Sequence, residues 1–212
     1  MKLGIVIRGH SSVNHLQATL CSIFEQDVSG IAVSVYLDKD IQLTVRKEIF
    51  TSLGNFNILR VVNAPYSGNT FVYLQALWDM FQIDGCDTVL VLEEGCVLST
   101  NSIRYIQSLE MIATIYTLYT TDDKKNSWLQ DFVLPGFLIS KSSFEYFAKW
   151  FDTGLYLAHI WYPSEISEDR KRLWESELNP VINMFEQLMQ VFLKVQGGIC
   201  KFPDQSYIYT LT

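Results

Sequence analysis

The chain has 212 residues, 49% of them hydrophobic, with five Trp, eleven Tyr and thirteen Phe. That length and composition fit one globular domain with a substantial core and exclude a disordered or fibrous chain. The formal net charge is −7, with no extended run of Lys or Arg, which excludes the basic stripe of a nucleic-acid surface and disfavours docking on anionic membranes.

The first apolar run, Leu3–Ile7, has a strand's length and is ended by Arg8, so it reads as a buried strand and not as a secretory leader. Ser11 or Ser12 then caps a helix to about Glu25, with Val13, Leu16, Leu20, Ile23 and Phe24 on one face. Ile31–Leu37 is the second strand and runs into Asp38-Lys39-Asp40; Ile41–Leu53 is a helix stopped by Gly54. Phe56–Val62 reads as the third strand, and Gly68-Asn69-Thr70 opens a helix to about Gln82. Thr88–Leu92 is the fourth strand, followed at once by Glu93-Glu94-Gly95, and Asn101–Ile112 is again helical. This alternation predicts an α/β fold with a mainly parallel central sheet flanked by helices.

The second half is less regular. A strand is expected within Asp131–Ser140, a helix over Ser142–Phe151, and a loop from Asp152 to Ser167 carrying His159, Trp161 and Tyr162. Asn179-Pro180 starts a helix to about Gln196, ended by Gly197-Gly198, and short strands follow near Ile199–Phe202 and Tyr207–Leu211. Cys21, Cys86, Cys96 and Cys200 sit among apolar neighbours without CxxC spacing, and read as buried, reduced thiols suited to the cytosol. No segment approaches ~18 consecutive apolar residues, so no membrane span is expected.

In an open parallel sheet, ligands bind beyond the carboxyl ends of the strands. GxGxxG, GxxxxGK[ST] and GxSxG are all missing from the sequence, and His10, His15 and His159 lack zinc-site spacing. The chemistry left at the strand ends is acidic. Glu93-Glu94 can hold a divalent cation through hard oxygen ligands, and such a cation would offset charge on a departing nucleotide diphosphate. Arg8, followed by Gly9, can pair with a phosphate or with a carboxylate in the same cleft. Asp38 can accept the N3–H of uracil, and the helix start at Asn69 suits an anion.

Five stretches taken together resemble GT-A glycosyltransferases over nearly the whole chain. They are Ile5-Val6-Ile7-Arg8 with its helix, Val33 to Asp38, Val89-Leu90-Val91-Leu92-Glu93-Glu94-Gly95, Leu134 to Ser140, and Gly197 to Asp204. The resemblance implies one GT-A domain over residues 1–212. Its nucleotide-sugar half is residues 1–100 and its acceptor half is 101–212, with Trp161-Tyr162 offered to a sugar face. It implies transfer of a hexose or deoxyhexose from a UDP-sugar donor to a glycan acceptor, assisted by Mn²⁺ or Mg²⁺. Arg8, Gly9, Asp38, Asn69 and Glu93 would contact the donor. Glu94, which alternates away from Glu93, would be the metal ligand. The family usually writes Asp-x-Asp here, and Gly95 stands where its last acid belongs.

The resemblance implies a catalytic base near the start of the helix before the closing strands, which is Glu186 here, on a stripe with Ile182, Met189 and Leu193. Asp79, on a face with Gln75 and Gln82, is the second candidate and reads as solvated; Glu168-Asp169 is the third. The chain is further similar to the N-terminal domain of members encoded by large chlorella viruses, which implies capsid-glycan synthesis in host cytoplasm and further domains of a longer polypeptide. The rival readings are a degenerate, non-catalytic glycan- or nucleotide-binding module and a nucleotide-sugar nucleotidyltransferase.

Overall fold

The computed structural model describes residues 1–65, 69–120, 127–129, 136–154, 156–157, 167–169 and 185–211. In chain order the first half runs β1 (Leu3–Gly9), α1 (Val13–Phe24), β2 (Ala32–Leu37), α2 (Leu43–Leu53), β3 (Arg60–Asn63), α3 (Asn69–Trp78) with a π turn over Asp79–Ile83, β4 (Thr88–Glu93) and β5 (Cys96–Leu98). The second half has α4 (Ser102–Ser108), β6 (Ile115–Thr117), β7 (Trp128–Leu129), β8 (Gly136–Ser140), α5 (Lys141–Phe151), α6 (Phe185–Gln196), β9 (Cys200–Lys201) and β10 (Ile208–Thr210).

The main sheet has the order β3-β2-β1-β4-β8-β6-β9-β7, and β5 pairs with β10 in a small second sheet. β3, β2, β1 and β4 are parallel, while β8 is antiparallel to both β4 and β6. The strand order therefore reverses around β1, which lies between β2 and β4 with Arg8 opposite Tyr36 on one side and Glu93 on the other. A crevice at such a reversal is where open α/β sheets place ligands.

Side chains of successive strand residues point to opposite faces, and the core divides accordingly. Ile5, Ile7, Val33, Val35, Leu37, Leu90 and Leu92 pack against Leu16, Leu20 and Ile23 of α1 and Ile49 and Leu53 of α2. Val6, Tyr36, Val89 and Val91 pack on the other face against α3, α5 and α6, through Tyr73, Leu77, Phe144, Phe147, Leu188 and Phe192. Ser12 caps α1, its hydroxyl accepting from the His15 N–H at 3.3 Å.

Several elements depart from the sequence reading. β3 starts at Arg60, because Phe56 and Ile58 are tied into a tight turn by bonds to Leu53 and Phe56 carbonyls. The helix expected over Asn101–Ile112 stops at Ser108. Beyond it the buried Tyr116 hydroxyl accepts from the N–H groups of Ile112 and Ala113 and donates to the Glu110 carbonyl, which holds an irregular turn into β6. β5, β6 and β7 are too short to leave a periodic signal. Cys86, Cys96 and Cys200 are buried free thiols as expected, but Cys21 is exposed. The acceptor loop with His159, Trp161 and Tyr162, the Asn179-Pro180 helix start, and Gly68 lie outside the described residues.

Candidate functional site

Two carboxylates adjacent in sequence leave the end of β4 toward opposite faces of the sheet. Glu93 continues the parity of Val89 and Val91, toward α3; Glu94 turns toward α1.

On the α3 face, Arg8 organises the cluster. Its Nε and Nη2 donate to the two oxygens of Asp38 at 3.0 and 2.6 Å, a bidentate fork. Its Nη1 donates to Glu93 Oε1 at 3.0 Å, and its guanidinium stands 5.6 Å from the centre of the Tyr73 ring. The Tyr73 hydroxyl donates to the same Glu93 oxygen at 2.5 Å. Burial alone would lower the Arg8 pKa; the hydrogen bonds to Asp38 and the surrounding negative charges outweigh it and raise the pKa above its ordinary value. Burial, and then the charge of Glu93, push the Tyr73 hydroxyl well above the usual tyrosine range, so it stays a proton donor. These side chains join the ends of β1, β2 and β4 to α3. Of the two partners foreseen for Arg8, the described residues show carboxylates of the same cleft.

On the α1 face, Glu94 is only 1% exposed at its side chain. Its Oε2 accepts from the His10 N–H at 2.8 Å. Its Oε1 accepts from the N–H groups of Ser11 and Ser12 at 2.8 and 3.0 Å and from the Ser11 hydroxyl at 2.5 Å. A carboxylate has about four lone-pair sites, so these donors nearly saturate it, and its charge sits favourably at the N-terminus of α1. His10 Nδ1 lies 3.4 Å from Oε1. A Cβ at Gly9 would meet the end of the Leu37 side chain, Cδ2, at 2.8 Å. Glu94, expected from the sequence as the metal ligand, is held here by donors of the β1–α1 loop.

Beside this loop is an open cavity of about 280 Å³ lined by His10, Ser11, Asp40, Ile41, Gln42 and Val45. The turn that carries Asp38 is braced from below, with Arg46 Nη2 donating to the Lys39 carbonyl at 2.9 Å. Asn69 begins α3 at the same edge of the sheet.

Asp79 is 7% exposed, not solvated. It accepts from the Tyr36 hydroxyl at 2.8 Å and from Gln75 Nε2 at 2.7 Å, and lies 3.4 Å from Arg60 Nη1. Asp79 follows Tyr73 by six residues, about 9 Å further along the axis and away from the sheet's carboxyl edge. Its location is thus a buried brace between β2, β3 and α3. The hydroxyl of Tyr36, buried and beside the Asp79 charge, has a raised pKa.

Glu186 lies in the first turn of α6, half-buried, and makes no hydrogen bond or ion pair among the described residues. Its neighbour Phe185 packs on Tyr73, with ring centroids 4.8 Å apart, and stacks on Phe137. That contact brings the start of α6 against the residue that holds Glu93. Met189 and Leu193 of its stripe are buried, and Glu168 and Asp169 are exposed.

The donor set of the described residues does not fit a cation held by these side chains. Asp38 and Glu93 are both paired with Arg8, and Glu94 is filled by loop donors. Gly95 has φ +85°, a conformation that strains any L side chain, and a Cβ there would lie 3.6 Å from His15 Nδ1. Among the described residues, no group of three or more His, Cys, Asp or Glu converges as a metal site.

No protein-family model matches the chain, and no curated protein matches it. Solved structures do. S. aureus TarS 1–349 matches with a TM-score of 0.61 at 13% identity, over 99% of this chain and 60% of that one. The same protein matches in complex with UDP (0.61, 12%) and with UDP-GlcNAc (0.59, 13%). The mannosyltransferase PcManGT from Pyrobaculum calidifontis, in complex with GDP-Man and Mn²⁺, matches at 0.54 and 8% identity over 71% of this chain and 46% of that one. The galactosyltransferase LgtC, in complex with donor and acceptor sugar analogues, matches at 0.51 and 11% identity over 93% and 72%. The chain thus spans about 60% of the length of the TarS piece it matches. No helix among the described residues is long and apolar enough to cross a membrane. What these likenesses and the topology establish together is the fold, which is that of the GT-A glycosyltransferases.

Proposed function

We propose that the chain is a glycosyltransferase domain that binds a UDP-sugar at the carboxyl edge of its sheet and passes the sugar to a glycan acceptor. The observation that carries this reading is the Arg8–Asp38–Glu93 cluster at the ends of three adjacent parallel strands. Arg8 fixes two carboxylates in place and leaves them able to accept from neutral N–H and O–H groups. A uracil N3–H at Asp38 and a ribose hydroxyl at Glu93 match that demand. The binding of UDP and UDP-GlcNAc by TarS supports the choice of nucleotide.

Glu186 is the proposed base. An inverting transfer needs a carboxylate to take the acceptor hydroxyl proton as that oxygen attacks the anomeric carbon. Glu186 is unpaired among the described residues and next to Phe185, whereas Asp79 is held by Tyr36, Gln75 and Arg60. Residues 1–100 form the donor half in this reading and 101–212 the acceptor half. Because the described donor set does not fit a cation, no step here is assigned to one, although PcManGT is in complex with Mn²⁺. The capsid-glycan setting, host cytoplasm and further domains rest on the sequence resemblance alone.

A non-catalytic sugar- or nucleotide-binding module is the second reading, favoured by Gly95 in place of the last acid. Incubation with a panel of UDP-sugars and a glycan mixture, with detection of released UDP, decides. UDP release supports the transferase, and binding without release supports the module.

A further inference from the structure

We propose that Arg8 is the resident cation of this cleft: its guanidinium fills the place between Asp38 and Glu93 that a divalent ion would need, and the chain by itself holds no divalent ion at the end of β4. Three independent observations meet here. The first is the fork itself, with bonds of 3.0 and 2.6 Å to Asp38 and 3.0 Å to Glu93 from an arginine whose side chain is 12% exposed. A hard cation needs several oxygen ligands at about 2–2.6 Å. Both carboxylates would have to leave the guanidinium to supply them, and the arginine would remain as a neighbouring positive charge.

The second observation is that the other acid of the Glu93-Glu94 pair is turned to the α1 face and occupied by His10, Ser11 and Ser12. The third is Gly95. Its φ of +85° strains any L side chain, an acid included, at the position where one would complete a ligand set. Arg8 differs from a bound metal in being permanent: it cannot be chelated away, and it holds the two carboxylates at fixed spacing whether or not a ligand is present.

The inference concerns the nucleotide-free chain and does not rest on the UDP-sugar reading. It is tested by titrating Mn²⁺ into the protein without nucleotide and following the free-ion signal by electron paramagnetic resonance. Wild-type protein is expected to leave that signal undiminished. Arg8→Gln frees Asp38 and Glu93 as a carboxylate pair and is expected to bind Mn²⁺ at least about tenfold more tightly. Adding Glu93→Gln to Arg8→Gln should abolish the gain. Arg8→Met, a second neutral replacement, serves the same purpose should Arg8→Gln fail to melt cooperatively. Two results would overturn the proposal: stoichiometric Mn²⁺ uptake by the wild type that Glu93→Gln removes, or a folded neutral variant at position 8 with no gain in uptake.

Discussion

The two faces of the sheet at its carboxyl edge use the same residue type for different ends. On the α3 face, Glu93 is shared between Arg8 and Tyr73 and keeps about a quarter of its side chain exposed. On the α1 face, Glu94 is closed off and spends its charge on backbone N–H groups. A partly exposed carboxylate held by side chains is available to a ligand, and a sealed one held by a loop is a fastening. The α3 face should therefore carry activity, and the α1 face should carry stability.

The largest expected effect is on activity. Glu186→Gln keeps the shape of the side chain and removes the base, and should cut turnover by roughly 10²–10⁴-fold. Donor affinity and melting temperature should stay put. Turnover within a few-fold of wild type would remove Glu186 from the mechanism. Glu94→Ala is the converse case. It strands three loop N–H groups and should cost about 3 kcal/mol, or roughly 6–12 °C in Tm. A thermal melt within about 1 °C of wild type would break the contrast between the faces.

Gly95→Asp restores the acid that the Asp-x-Asp pattern would place there. At φ +85° it should destabilise by about 1–3 kcal/mol, and Mn²⁺ titration should detect no new cation site. A stable variant that gains Mn²⁺ affinity would show that the loss of this acid is incidental to the backbone.

Much of this architecture is legible in the sequence. The apolar runs of β1, β2 and β4, the Ser12 cap and the stop at Gly54 each mark an element to within a residue or two. The opposite directions of Glu93 and Glu94 follow from strand alternation. Which of the two becomes the fastening does not, because it depends on where the start of α1 lies over β4, a contact between residues more than 80 positions apart. The solvated reading of Asp79 fails for a similar reason. Its polar neighbours on α3 read as a solvated face, but Tyr36 and Arg60 arrive from β2 and β3 and bury it.

The buried tyrosines give a smaller, pH-dependent effect. The pKa values of Tyr36 and Tyr73 are raised in the folded chain, first by burial and then by Asp79 and Glu93 respectively. A folded pKa above the unfolded value of about 10 means that stability is intact below pH ~10 and falls as pH rises through the range above it. Tyr36→Phe should lower stability at neutral pH by about 1 kcal/mol, the worth of its hydrogen bond, and should flatten the alkaline decline. An unchanged alkaline slope in urea melts of Tyr36→Phe and Tyr73→Phe would show that neither hydroxyl is held neutral by the fold.

Calorimetric titration of UDP into wild type and Asp38→Ala tests most directly whether the α3-face cluster receives the nucleotide. Measurable UDP binding by the wild type is expected, with a loss of about 1.5–3 kcal/mol in Asp38→Ala, the variant's melt confirming that it is folded. No UDP binding by the wild type, or equal affinity in a folded Asp38→Ala, would contradict it.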